Sequence, residues 1–182
     1  TPVITSSSPC IGSDLVLYAS GGNLFSWAGP NGFLSTSANP IIHNATSIHA
    51  GLYQVTVTDA DGCQSTGSVN VTVSDAPMTT IQSYNATCGA SNGFIDMSVY
   101  SGTMPFAYTW SNGTTTQDNY ALGRGNYIVT VTDANGCMNT ASASVGEVNG
   151  PNVVLTGMNV LCHGTSTGSI ESVVSGGTTP YR

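Results

Sequence analysis

Five cysteines are the side chains of this chain best suited to chemistry, and their spacing is regular. Cys63 and Cys137 lie 74 positions apart (137 − 63), as do Cys88 and Cys162 (162 − 88). No Cys-x-x-Cys pair occurs, so disulfides are favoured over zinc. The economical pairing is Cys10–Cys63 and Cys88–Cys137, one bridge per repeat, with Cys162 left over. Closing a loop of about 50 residues is worth roughly 4 kcal/mol in chain entropy. Regular bridging implies an oxidising compartment.

The carboxylates offer a second chemistry. Asp59-Ala60-Asp61-Gly62 resembles the start of a calcium loop, and Asp133-Ala134-Asn135-Gly136 repeats it with one charge fewer. A calcium ion would draw on Asp59, Asp61 and Asp133, with Asp75 or Glu147 from the linkers. The EF-hand pattern fails, because no further carboxylates follow at the required offsets. Turn formation alone also accounts for both segments, since Asp and Asn side chains bond the backbone of tight turns. No other cofactor is implied. His43, His49 and His163 form no triad or metal spacing, and no serine sits in Gly-x-Ser-x-Gly. No catalytic constellation is present, so an enzyme is not expected.

These residues hang on a repeated hairpin. Tyr53-Gln54-Val55-Thr56-Val57-Thr58 alternates large apolar with polar residues, as does Tyr127-Ile128-Val129-Thr130-Val131-Thr132 at the odd positions. Period two places Tyr53, Val55 and Val57 on one face of a strand. Asp61-Gly62 and Asn135-Gly136 supply the turn, and Val69, Val71 and Val73 resume the alternation. Leu15, Leu17 and Ala19 form the matching face earlier in the first repeat, Ile95, Met97 and Val99 in the second, and Ile170, Ser172 and Val174 in the third. Trp27 and Trp110 each read as a plug between two sheets; the alternative is a carbohydrate-stacking platform.

The fold class that follows is all-β: tandem immunoglobulin-like β-sandwich repeats of about 75 residues in an extended array. The expected domains are residues 1–75, 76–149 and 150–182, joined by short proline linkers at Asp75-Ala76-Pro77 and Val148-Asn149-Gly150-Pro151. The third repeat stops at Tyr181-Arg182, before its tryptophan strand and final hairpin. It reads as an interruption: a polypeptide that continues, one cut after Arg182, or one completed by strands of another chain.

Composition narrows the partners. Of 182 residues only 6% are charged, nine of them carboxylates against Arg124 and Arg182, with no lysine. That argues against nucleic acid and anionic membranes, both of which need clustered basic residues. No apolar run reaches membrane-spanning length and no signal peptide is evident, so the chain reads as a mature protein or a piece of one. Sequons occur at Asn44, Asn70, Asn85 and Asn112, as chance allows in a chain this rich in Asn and Thr.

The second repeat, from Cys88 through Gly93-Phe94-Ile95-Asp96, Gly102-Thr103-Met104-Pro105-Phe106 and Tyr108-Thr109-Trp110 to Cys137, resembles the SprB-type repeat. So does the third, through Gly168-Ser169-Ile170-Glu171 and Pro180-Tyr181. The first departs from it at Phe25 to Phe33 and is more similar to PKD-like or Ig-like modules. The resemblance implies a piece of a large repetitive cell-surface adhesin of gliding Bacteroidota, exported by the type IX secretion system. It implies an extracellular location and brings no catalytic residues. The partners implied are surface polysaccharide or another extracellular surface, and neighbouring repeats of the same or another chain, as in a filament. The alternative is a purely structural spacer or fibre shaft.

Overall fold

The computed structural model describes residues 2–148, 150–159, 164, 166–177 and 181. Apart from two short 3-10 turns, Pro30–Gly32 and Ser47–His49, its described regular structure is strand. Among the described residues no helix is long and apolar enough to cross a membrane.

In the first repeat, seven strands follow in order: β1 Val3–Ser6, β2 Leu15–Ser20, β3 Leu24–Gly29, β4 Phe33–Ser35, β5 Ile41–Ile42, β6 Gly51–Thr58 and β7 Gln64–Val71. They form two sheets, ordered β1-β2-β5 and β4-β3-β6-β7. The alternating residues converge as their spacing requires. Leu15, Leu17 and Ala19 meet Trp27, Tyr53, Val55, Val57 and Val71 in one buried cluster. Trp27 lies across from Val55, and Tyr53 across from Val69. Gly29 is obligatory here: a Cβ at that position would lie 2.4 Å from the Tyr53 ring.

The second repeat supplies β8 Thr79–Tyr84, β9 Ala86–Thr87, β10 Gly93–Val99, β11 Ala107–Trp110, β12 Asn119–Leu122, β13 Gly125–Thr132, β14 Met138–Val145 and β15 Glu147–Val148. The sheets are β12-β10-β8, β11-β13-β14 and a parallel pair β15-β9. Ile95, Met97, Trp110, Leu122, Val129 and Val145 are buried.

Both tryptophans are core residues, 1% and 2% exposed, which removes them as stacking platforms for a ligand. Their indole N–H groups are also satisfied inside: Trp27 Nε1 donates to Ser37 O at 3.0 Å and Trp110 Nε1 to Thr116 O at 2.9 Å. The repeated tyrosines behave alike. Tyr53 donates its hydroxyl to His49 O at 2.8 Å, and Tyr127 to Gly123 O at 3.1 Å. Burial raises the Tyr53 pKa above its ordinary 10.0.

The third repeat contributes β16 Asn152–Met158 and β17 Ser169–Ser175, an antiparallel pair that leaves Val153, Leu155 and Ile170 exposed. Cys162 and His163 lie outside the described residues.

The chain divides into two compact units that do not follow the repeat boundaries. The first comprises Thr1–Thr79, Val99–Ala107 and Thr130–Asn139; the second comprises Thr80–Ser98, Tyr108–Val129 and Thr140–Arg182. Two segments of the second repeat thus cluster with the first sandwich.

Trp110→Ala is expected to destabilise the second repeat by about 3–5 kcal/mol, because a large cavity replaces a filled core. Tyr120→Ala, at a position 63% exposed, is expected to cost no more than about 1 kcal/mol. Urea unfolding of the two variants against the parent measures both.

Candidate functional site

The bridge observed is Cys10–Cys137, with Cα atoms 5.6 Å apart and 127 positions between the two in sequence. The expected pairs Cys10–Cys63 and Cys88–Cys137 are not formed; Cys63 and Cys88 are exposed thiols. The reason lies in where each cysteine is carried. Cys10 pairs in parallel with Ser74, at the point where the first repeat leaves for the linker. Ile11 N donates to Ser74 O at 2.9 Å and Ser74 N to Pro9 O at 3.0 Å. Cys63 instead sits on the turn between β6 and β7 of that repeat. The equivalent turn of the second repeat, residues 133–137, is folded against the linker and presents Cys137 to Cys10. Closing a loop this long is worth about 5 kcal/mol in chain entropy.

Several bonds seat that turn. Asn139 Nδ2 donates to Pro77 O at 2.8 Å, Tyr100 N to Met78 O at 3.0 Å, and Ala134 N to Thr103 O at 2.9 Å. At the centre is Asp133, a buried carboxylate 5% exposed. Its Oδ1 accepts from Asn135 N at 2.9 Å and Cys137 N at 2.8 Å; its Oδ2 accepts from Thr103 N at 3.0 Å. Burial pushes the Asp133 pKa up, but the N–H groups of Thr103, Cys137, Asn135 and Gly136 together outweigh burial and hold it below 3.8.

The first repeat uses its aspartate in the same way. Asp59 Oδ1 accepts from Asp61 N at 3.0 Å and Cys63 N at 2.8 Å, so its carboxylate organises the turn as Asp133 does. Asp59, Asp61 and Asp133 form no ligand set: among the described residues no three acidic, histidine or cysteine side chains gather to hold a metal. Linker Glu147 accepts from Gly89 N. His43 pairs with Asp14 at 3.0 Å on the surface, and His49 Nδ1 accepts from Thr46 N at 3.0 Å. The Asn112 sequon is engaged within the fold, its amide reciprocally bonded to buried Asn119 at 3.1 and 3.2 Å.

Sequence reasoning missed one surface feature. On the sheet β12-β10-β8, each strand raises one ring on the outer face: Tyr120, Phe94 and Tyr84. Tyr84 and Phe94 stack with centroids 4.1 Å apart and planes 10° apart; Phe94 and Tyr120 are 5.9 Å and 21° apart. The three stand side by side, with Phe94 between the two tyrosines. Tyr120 donates to Asp118 Oδ2 at 3.1 Å, and that bond, with the charges of Asp118 and Asp96, raises its pKa above 10.0. Beside the rings, a shallow polar hollow is lined by Thr80, Gln82, Asp96 and Ser98. The three rings are 26 and 10 positions apart in sequence (120 − 94, 94 − 84), so only strand pairing aligns them. The available signal was their position at outward-facing sites of alternating strands. The face offers aromatic rings, hydroxyls, an amide and carboxylates: the means to hold a neutral polar ligand.

Residues 80–115 and 155–182 match the sequence profile of the SprB repeat. The resemblance seen in the second and third repeats therefore stands as a family match. No curated protein matches the chain. Among solved structures, the N-terminal eight Ig domains of Down Syndrome Cell Adhesion Molecule isoform 1.30.30 align over 87% of this chain and 25% of that one, with TM-score 0.59 and 14% identity. The insect immune protein hemolin aligns over 80% and 46%, with TM-score 0.43 and 16% identity. The first of these shows an Ig-like all-β fold shared with this chain, which spans a quarter of that chain's length.

Asp133→Asn removes one charged acceptor and turns an amide donor toward other donors. Hydrogen bonds to a charged group are worth about 1.5–3 kcal/mol, so a loss of that order is expected at neutral pH. The folded pKa of Asp133 lies below its unfolded value. Its contribution is therefore present above the unfolded pKa and lost as pH falls through the folded one. Urea titrations from pH 7 down to about pH 2.5 should show a decline below about pH 4 in the parent that is smaller in the variant.

Proposed function

We propose that the chain is a non-catalytic part of a large repetitive cell-surface adhesin, with residues 1–75, 76–149 and 150–182 as successive modules. The observation that carries the adhesive reading is the outer face of the second repeat: Tyr84, Phe94 and Tyr120 in a row, beside Gln82, Asp96 and Asp118. An apolar row flanked by hydrogen-bonding groups suits a neutral, polyhydroxylated polymer such as a surface polysaccharide. Anionic glycans are disfavoured, because the chain carries a net charge of −7 and the face itself presents carboxylates. The SprB match supports an extracellular, cell-surface setting. Export by the type IX secretion system and a part in gliding follow from the same likeness.

A second reading, a spacer or fibre shaft, is supported by the Cys10–Cys137 bridge. A covalent tie from one repeat to the next suits a chain that transmits load. The same protein can serve as both shaft and adhesin if the face of each repeat binds weakly and many repeats act together.

Binding to an array of immobilised neutral and acidic polysaccharides separates the readings. The adhesive reading expects retention on one or more neutral polymers, reduced at least tenfold by Tyr84→Ala with Tyr120→Ala at a temperature where circular dichroism shows the double variant still folded. Absence of retention on every polymer, or retention unchanged in the double variant, leaves the shaft reading.

A further inference from the structure

The exposed thiols Cys63 and Cys88 occupy the same two local settings as the cysteines that are bonded. Cys137 follows the turn Asp133-Ala134-Asn135-Gly136, with Asp133 Oδ1 accepting its N–H at 2.8 Å. Cys63 follows Asp59-Ala60-Asp61-Gly62, with Asp59 Oδ1 accepting its N–H at 2.8 Å. Gly62 and Gly136 close the two turns at φ of 83° and 81°. Cys10 runs parallel to Ser74 at the exit of the first repeat. Cys88 runs on from β9, parallel to β15 at the exit of the second, and its N–H donates to Val148 O at 3.1 Å. Its sulfur faces the next linker: a Cβ on Gly150 would lie 3.2 Å from Cys88 Sγ. Each repeat therefore carries one exit-side cysteine and one turn cysteine. The bond that forms joins the exit side of one repeat to the turn of the next, and neither repeat closes on itself.

We infer that Cys63 and Cys88 are the two open halves of this same repeat-to-repeat bridge. Cys88 bonds the turn cysteine of a following repeat, and Cys63 bonds the exit-side cysteine of a preceding one. The second observation behind the assignment is the bond itself: the equivalent pair, Cys10 and Cys137, is joined. The bridge is heterologous, with different halves on its two sides, so it propagates in one direction along a row of repeats. Each bond forms when two thiols release two protons and pass two electrons to the disulfide of a thiol oxidase. That disulfide leaves as a dithiol after exchange through a mixed disulfide. The partner repeat can belong to the same polypeptide or to a second one; the thiol chemistry is identical. This inference goes beyond the adhesive function and survives if no glycan is bound.

Non-reducing peptide mapping of the natural full-length protein tests it, with a protease other than trypsin because basic residues are so few. The expected result is Cys10–Cys137, Cys88 linked to a cysteine that follows an Asp-Ala-Asx-Gly turn, and Cys63 linked to the exit-side cysteine of another repeat. Electrophoresis without reductant then assigns the source: a single chain mass for partners in the same polypeptide, a ladder of multiples for partners in another. Cys63 or Cys88 found as alkylatable thiols in that protein would overturn the inference, as would Cys10–Cys63 or Cys88–Cys137. In the 182-residue chain, Cys137→Ser is expected to leave Cys10 fully alkylatable. A Cys10–Cys63 bond appearing in that variant would show that bridges can close within a repeat and would sink the proposed register.

Discussion

The junction between the first two repeats depends on one buried carboxylate. Asp133 gathers three backbone N–H groups from two segments, its own turn and the loop at Thr103. Asp59 makes the same turn in the first repeat, yet it is exposed and bonds only within that turn. The difference lies in the second oxygen. When Oδ2 of Asp133 accepts from Thr103, the turn is fixed to a neighbouring loop, and Cys137 is held where Cys10 can reach it. A charged acceptor with several short bonds outweighs the cost of its own burial, and this is why its pKa falls.

Each sandwich is locked by paired polar handles on apolar bodies. Trp27 and Trp110 fill the interior and send one N–H to a loop carbonyl; Tyr53 and Tyr127 send a hydroxyl to the carbonyl four residues earlier. An unpaired N–H or O–H in these positions would cost more than the ring's extra area gains over an aliphatic side chain. The handles also fix the loops at the strand ends. Two repeats that differ through the Phe25–Phe33 region therefore share one arrangement of tryptophan and tyrosine.

The outer face of β12-β10-β8 follows another logic. Three rings that spend their faces on each other stabilise the sheet through cross-strand contact, roughly 0.5–1.5 kcal/mol for each pair. Asp96, Asp118 and Gln82 lie close beside them. Such a surface adds stability without being sticky to other apolar patches, which suits a chain with few charges to keep it soluble.

The strands, the two-sheet class and the core faces were legible in the sequence, because a period of two and Asx-Gly turns are local properties with few alternatives. Leu15, Leu17, Tyr53, Val55, Ile95 and Met97 could be assigned to the interior by alternation alone, and Trp27 and Trp110 by their strand setting. The disulfide register could not be read in this way. Equal spacing makes pairing within a repeat and pairing between repeats look alike, and only the three-dimensional approach of the 133–137 turn to Cys10 decides between them. The same holds for Asp133 against Asp59, whose sequences are nearly identical and whose burial differs because only one turn meets a second loop. It also holds for Tyr84, Phe94 and Tyr120, which become a row only when three strands distant in sequence hydrogen-bond side by side. Local pattern determined what each segment is; the packing of segments far apart in the chain determined which side chains meet.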